Sequence, residues 1–89
     1  MKAILTVIGQ DKVGIVAGVS QELAHLGVNI LDMSQTIMGK NFTMIMMCDL
    51  GTSQKEFSEI KDALNKKGNE LEVTINMQRE EIFDAMHKL

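Results

Sequence analysis

The sequence predicts an α+β fold, a split βαβ sandwich. It would have a four-stranded antiparallel sheet with two helices on one face, followed by a short C-terminal helix. Three observations carry this expectation. Apolar periodicity alternates between strand-like and helix-like in the order βαββαβ. The chain has 89 residues, enough for one domain and one modest core. Two of the four strand segments are apolar on both faces, as central strands are, and topology puts the first and third strands in the centre.

Residues 2–8 are rich in β-branched and apolar side chains and stop at Gly9, which predicts the first strand. Residues 9–14 form a loop. From Gly14 onward Ile15, Val16, Val19, Leu23 and Leu26 line one stripe of a helix, with Asp11 as a cap near its start and Gly27 as its stop. Residues 28–38 read as the second strand, with an irregularity near Asp32 and Ser34. Gly39, Lys40 and Asn41 make a hairpin turn into the third strand, 42–50. Ser53 and Glu56 have capping-box spacing, so the second helix is expected to open at Ser53. Its stripe is Phe57, Ile60 and Leu64. Lys66 and Lys67 suit its C-terminal dipole, and Gly68 is expected to end it. Residues 71–77 alternate cleanly and predict the fourth strand. A final helix over about 79–88 carries Ile82, Phe83, Met86 and Leu89, with Glu80 and Glu81 charging its first turn. Domain organisation follows: one domain over 1–78 and a helical extension over 79–89.

Two helices cover only one side of such a sheet. Ile4, Thr6 and Ile8 of the first strand and Thr43, Ile45 and Met47 of the third would face away from them. An apolar face of that width is expected to be covered, by the C-terminal helix or by a second chain, and a homodimer is the expected state.

Composition excludes several function classes. The net charge is −3 and Arg79 is the sole arginine, which is no footprint for nucleic acid. Three phenylalanines and no Trp or Tyr argue against a base-stacking platform. No apolar run reaches the roughly 20 residues that span a bilayer, and the N-terminus does not read as a signal peptide. The lone Cys48 fits a reducing cytoplasm and excludes an internal disulfide. His25 and His87 are far apart and share no metal-ligand spacing with Cys48, so no metal or cofactor is expected. The eight methionines read mainly as core filling. No acid–base or nucleophile constellation emerges, and an enzyme is not expected.

The most informative segment is Gly-Gln-Asp-Lys-Val-Gly-Ile-Val at 9–16. Free N–H groups where this loop enters a helix favour an anion such as a carboxylate. Gly14 either lets a ligand approach the backbone or simply supplies turn geometry. Asp11 either receives an ammonium group or caps the helix. The Asn29 amide, which can donate and accept, suits a zwitterion or serves a turn. Gly9 and Gly14 have Walker spacing, but Ile15 and Val16 replace its Lys and Ser/Thr, and no G-x-G-x-x-G is present.

This loop, together with Leu-Ala-His-Leu-Gly-Val-Asn-Ile at 23–30, resembles the ACT domain signature. The pattern is D-x-x-G-I-V/L, a helix, then G-x-N-I. It is met by Asp11, Gly14, Ile15, Gly27, Asn29 and Ile30. Asp32 through Gln35 further resemble the ACT domains of formyltetrahydrofolate hydrolases and of the glycine-cleavage repressor group. The nearest likeness is to small bacterial proteins made of one ACT domain and a short C-terminal helix. The resemblance implies a ferredoxin-like regulatory module that binds an amino acid or related metabolite between two such domains. It assigns ligand-binding roles to Asp11, Lys12, Val13, Gly14, Ile15, Val16, Asn29 and Ile30. With no attached catalytic or DNA-binding domain in the sequence, a signal would pass to a separate effector protein. A ligand-independent assembly module is the alternative.

Overall fold

The structure, a computed structural model, describes residues 1–82. β1 (Lys2–Gln10), α1 (Ile15–His25), β2 (Asn29–Met38), β3 (Asn41–Asp49), α2 (Phe57–Leu71) and β4 (Val73–Arg79) follow one another in the expected βαββαβ order. The sheet is antiparallel with strand order β2-β3-β1-β4, so β1 and β3 are central. Glu80, Glu81 and Ile82 are helical, as the expected C-terminal helix requires; the rest of that helix lies outside the described residues.

The core lies between the helices and one sheet face. On β1, Ala3, Leu5 and Val7 point into it, each opposite a buried residue of β3: Cys48, Met46 and Met44. Met77 and Ile75 of β4 complete the layer beside Leu5 and Val7. Ile15, Val19 and Leu23 of α1 and Ile60 and Leu64 of α2 close it from above. The period of 3.6 on the helices and of 2 on the strands thus meet at one interior.

Several boundaries differ from expectation, each for a physical reason. Asp11 does not cap α1. The N-cap is Gly14, with φ at 94° and no side-chain cap, while the Asp11 backbone N–H donates to the Lys40 carbonyl at 2.8 Å. Ser53 does not open α2. Its hydroxyl donates to the Leu26 carbonyl at 2.6 Å and accepts from the Lys55 N–H at 3.2 Å, so it serves the end of α1. The α2 N-cap is Glu56 instead. Nor does Gly68 end α2, which runs on to Leu71 with Glu72 as C-cap at φ 60°. Gly68 is buried where β4 crosses the helix, and a Cβ there would stand 2.9 Å from the Val73 carbonyl oxygen. Lys66 and Lys67 therefore lie within the helix rather than at its end, and β4 begins at Val73 instead of residue 71.

Two surfaces stand out among the described residues. On the sheet face away from the helices, Ile8 and Ile45 are about half exposed, whereas Ile4 is 6% exposed. Threonines and amides intervene (Thr6, Thr43, Thr74, Asn76), so this face is more mixed than wholly apolar. The second surface is β2, an edge strand with a register shift between Ile30 and Asp32. Every residue from 31 to 38 on it is exposed.

Candidate functional site

The β1–α1 loop is held at both sides. Its Asp11 N–H is tied to the β2–β3 turn through Lys40. Lys12 Nζ lies 3.0 Å from a carboxylate oxygen of Glu72 at the α2–β4 corner. Both side chains of this pair are exposed, so it guides the loop rather than locking it. Gly14 then turns the chain into α1, and its carbonyl accepts the first helical bond from Gly18 at 2.8 Å. No Cβ-bearing residue adopts φ near 94° without strain, which is why glycine stands here. A Cβ on Gly14 would meet nothing within 4 Å, so the approach to the first turn of α1 is open. With no side-chain cap, the N–H groups of that turn keep their capacity for an anion.

The other loop residues divide by environment. Val13 is fully exposed at the tip, Ile15 is buried in the core, and Val16 is half-buried against it. Of the predicted loop residues, Asp11, Lys12, Val13 and Gly14 offer exposed surface to a ligand. Ile15 anchors the helix beneath them.

Asn29 and Ile30 are elsewhere. Asn29 pairs with Asp49, which also pairs with Lys2 at the start of β1; the loop follows Gln10 at the strand's other end. Eight residues of strand separate the two levels, about 26 Å at about 3.3 Å per residue. The eight predicted residues therefore form two groups at opposite ends of one sheet. Asn29 is exposed, and Ile30 packs against the core. A cavity of about 540 Å³ opens at the Asn29 end, between the end of α1 and the β3–α2 connection. His25, Gly27, Thr52, Gln54, Lys55 and Glu59 line it, and the Thr52 hydroxyl donates to the Gly27 carbonyl at 2.7 Å.

Sequence reasoning missed Lys40 and Glu72, the two contacts that position the loop. The Lys40 contact runs through a backbone carbonyl and leaves no side-chain signal. Glu72 lay inside what read as a clean alternating strand. Cys48 is buried, and desolvation pushes its thiol up to about 11, far from a nucleophile's range. No group of three or more His, Cys, Asp or Glu side chains could hold a metal among the described residues. No helix among them is long and apolar enough to cross a membrane.

The fold and the glycine-capped loop define a class: a ferredoxin-like βαββαβ module whose first loop opens onto a helix start. An ACT domain family model matches residues 2–78, and the chain belongs to that family, whose members are in general regulatory ligand-binding modules. A UPF0237 protein of Listeria innocua is 64% identical over 89 residues, covering 100% of both chains. An ACT domain protein from Streptococcus pneumoniae superposes with a TM-score of 0.83 at 45% identity, covering 98% of each chain. A formyltetrahydrofolate deformylase from Pseudomonas syringae shares the fold at a TM-score of 0.79 and 23% identity, over 88% of this chain and 27% of that one.

Proposed function

We propose that this protein is a metabolite sensor that binds an amino acid or a related small molecule at the interface of a homodimer. The observation that carries the reading is Gly14. It caps α1 without a side chain, and the space its Cβ would occupy is open. In this reading a ligand carboxylate settles on the free N–H groups there, and the exposed Asp11 receives its ammonium group. Asn29 and Ile30 can join the same ligand only from a second chain, because within one chain they stand at the far end of the sheet.

In this reading the module spans 1–78, and 79–89 is an extension. The protein is cytoplasmic, acts without metal or cofactor, catalyses nothing, and passes its signal to a separate effector protein. Binding shifts an equilibrium only if the two states differ in ligand affinity, so the effector must distinguish the loaded dimer from the empty one.

The test is thermal melting followed by circular dichroism, with the twenty amino acids and glycine-cleavage and folate-linked metabolites as the panel. A ligand at 100 times its Kd stabilises by about 2.7 kcal/mol. That raises the Tm of a domain this size by roughly 10–20 °C. Gly14→Asn should abolish the shift while keeping the fold at a modest cost in stability, since Asn tolerates positive φ better than other side-chain-bearing residues. A hit that survives Gly14→Asn removes the site. A flat panel removes the sensor and leaves the ligand-independent assembly module, which the exposed β2 edge favours.

A further inference from the structure

We propose that residues 83–89 dock on the outer face of the sheet in their own chain, seating Phe83 and Met86 on Ile4 and Met47. One burial is left unexplained by the two helices and the strands. Ile4 alternates with Ala3 and Leu5, which point into the core, so it points away from α1 and α2. It is nevertheless only 6% exposed. Its cross-strand neighbours are Met47 and Gln78, which lie beside it in the sheet and are themselves half-buried. Ile8, flanked in the same way by Thr43 and Thr74, is 52% exposed. Met47 and Gln78 are longer than threonine, but they too are shielded, so something stands over all three.

This cover has an edge. Met47, Ile4 and Gln78 form one row across β3, β1 and β4. In the next outward-facing row Ile45 is 41% exposed and Asn76 is exposed, with Thr6 half-buried between them. The row of Ile8 is open again at Thr74. The cover therefore sits over the end of the sheet where β1 begins. Other elements at that end do not supply it. The Thr52 and Ser53 hydroxyls donate to the Gly27 and Leu26 carbonyls, which holds the β3–α2 connection on the helix side. Asp32 of β2, opposite Met47, is exposed. What does leave the sheet there is the end of β4: Arg79 pairs with Ala3, and Glu80, Glu81 and Ile82 are helical. Ile82 is itself half exposed, so the cover continues beyond it.

The seven residues that follow fit in pattern and in reach. Ile82, Phe83, Met86 and Leu89 recur at i, i+1, i+4 and i+7, one stripe of a helix, while Glu81, Asp84 and Lys88 fall on the other side. As a helix, residues 83–89 add about 10 Å at about 1.5 Å per residue. From Ile4 to Ile8 is about 13 Å at about 3.3 Å per strand residue. A helix about 10 Å across spans two strand spacings of about 4.8 Å, the width of the row from Met47 to Gln78. Such a strap covers the row of Ile4 and stops short of Ile8, which is the observed gradient. The burial of Ile4 is a property of one chain, so its cover belongs to that chain and not to a second copy.

Methyl NMR on the full chain tests the docking and needs no ligand, so it stands or falls apart from the sensor reading. Nuclear Overhauser contacts should join the Ile4 and Met47 methyls to the Phe83 ring and the Met86 methyl, and none should reach Ile8. In a sample mixing labelled and unlabelled chains, those contacts should be absent from the spectrum filtered for contacts between chains. Phe83→Ala should shift the Ile4 methyl resonances, through loss of the ring current, and lower the Tm. The Leu5 and Val7 methyls, in the core on the other side of β1, should keep their positions and so report an intact fold. Ile8→Ala should leave the Ile4 resonances in place. Ile4 contacts that end at its sheet neighbours overturn the proposal. So do contacts to Phe83 or Met86 that arise only between chains, or Ile4 resonances that Phe83→Ala does not move. The wild-type contacts decide the matter even where a variant fails to fold.

Discussion

Glycines in this chain do different jobs, and the difference is measurable. At Gly68 a Cβ would stand 2.9 Å from the Val73 carbonyl oxygen, a backbone atom that cannot step aside alone. At Gly18 it would stand 3.0 Å from Leu71 Cδ1, the end of a flexible side chain. Both positions are helical, where alanine gains roughly 0.5–1 kcal/mol over glycine. Gly68→Ala should therefore be destabilising by about 1–3 kcal/mol, overpacking outweighing propensity. Gly18→Ala should stay within about 1 kcal/mol of wild type. Urea denaturation of the two variants decides it. Cys48 gives a second prediction at this scale. Its thiol, buried in the folded chain, is pushed up to about 11, above the ordinary value of 9.0. Between these values the unfolded thiol loses its proton while the folded one keeps it. The native state then binds more protons, and stability falls as pH rises. The slope contributed is at most about 1.4 kcal/mol per pH unit. Cys48→Ala should remove that component of the pH dependence above 9.0, and paired unfolding curves on either side of that pH would check it.

At the scale of elements, α2 shows what sequence could and could not say. The stripe Phe57, Ile60, Leu64 was legible and correct, because burial on one face imposes its period. Both ends were misread. Lys66, Lys67 and Gly68 look like a helix terminus, but the glycine answers to a strand crossing over it, and that crossing is a tertiary fact. Ser53 and Glu56 have capping-box spacing, yet the Ser53 hydroxyl is drawn to the Leu26 carbonyl at the end of α1, 27 residues back in the chain. The two assignments separate by mutation. If Ser53 secures α1 to the β3–α2 connection, Ser53→Ala costs about 1 kcal/mol through one lost hydrogen bond, while Glu56→Ala changes stability by far less. A working capping box would make the two losses similar. The site was legible to the same degree. The loop from Asp11 to Val16 could be located because its residues are contiguous and sit between a strand and a helix. The contacts that position it, through the Lys40 carbonyl and the Glu72 carboxylate, come from segments that sequence places far away.

The whole molecule is a well-sealed half and an open edge. Strands β1 and β3 carry the buried layer, with Leu5, Val7, Met44 and Met46 wholly inside, and each is hydrogen-bonded on both sides. β2 is bonded on one side only, and its residues 31–38 are all exposed. Sequence could predict the strand order from topology rules but not this asymmetry, because exposure of β2 depends on how far α1 reaches across the sheet. The asymmetry predicts how protection against hydrogen exchange is distributed. Amides of β1 and β3 open only with global unfolding, whereas those of an unpaired edge exchange through local openings of low free energy. If a second copy pairs along 32–38, the outward amides there should instead be slow in wild type. Ile37→Lys should then release them by at least tenfold while β1 and β3 keep their protection, because the monomer's core is untouched. Fast exchange along 32–38 in wild type would mean that the edge stays open in solution. Slow exchange unaffected by Ile37→Lys would mean that something other than a second β2 covers it.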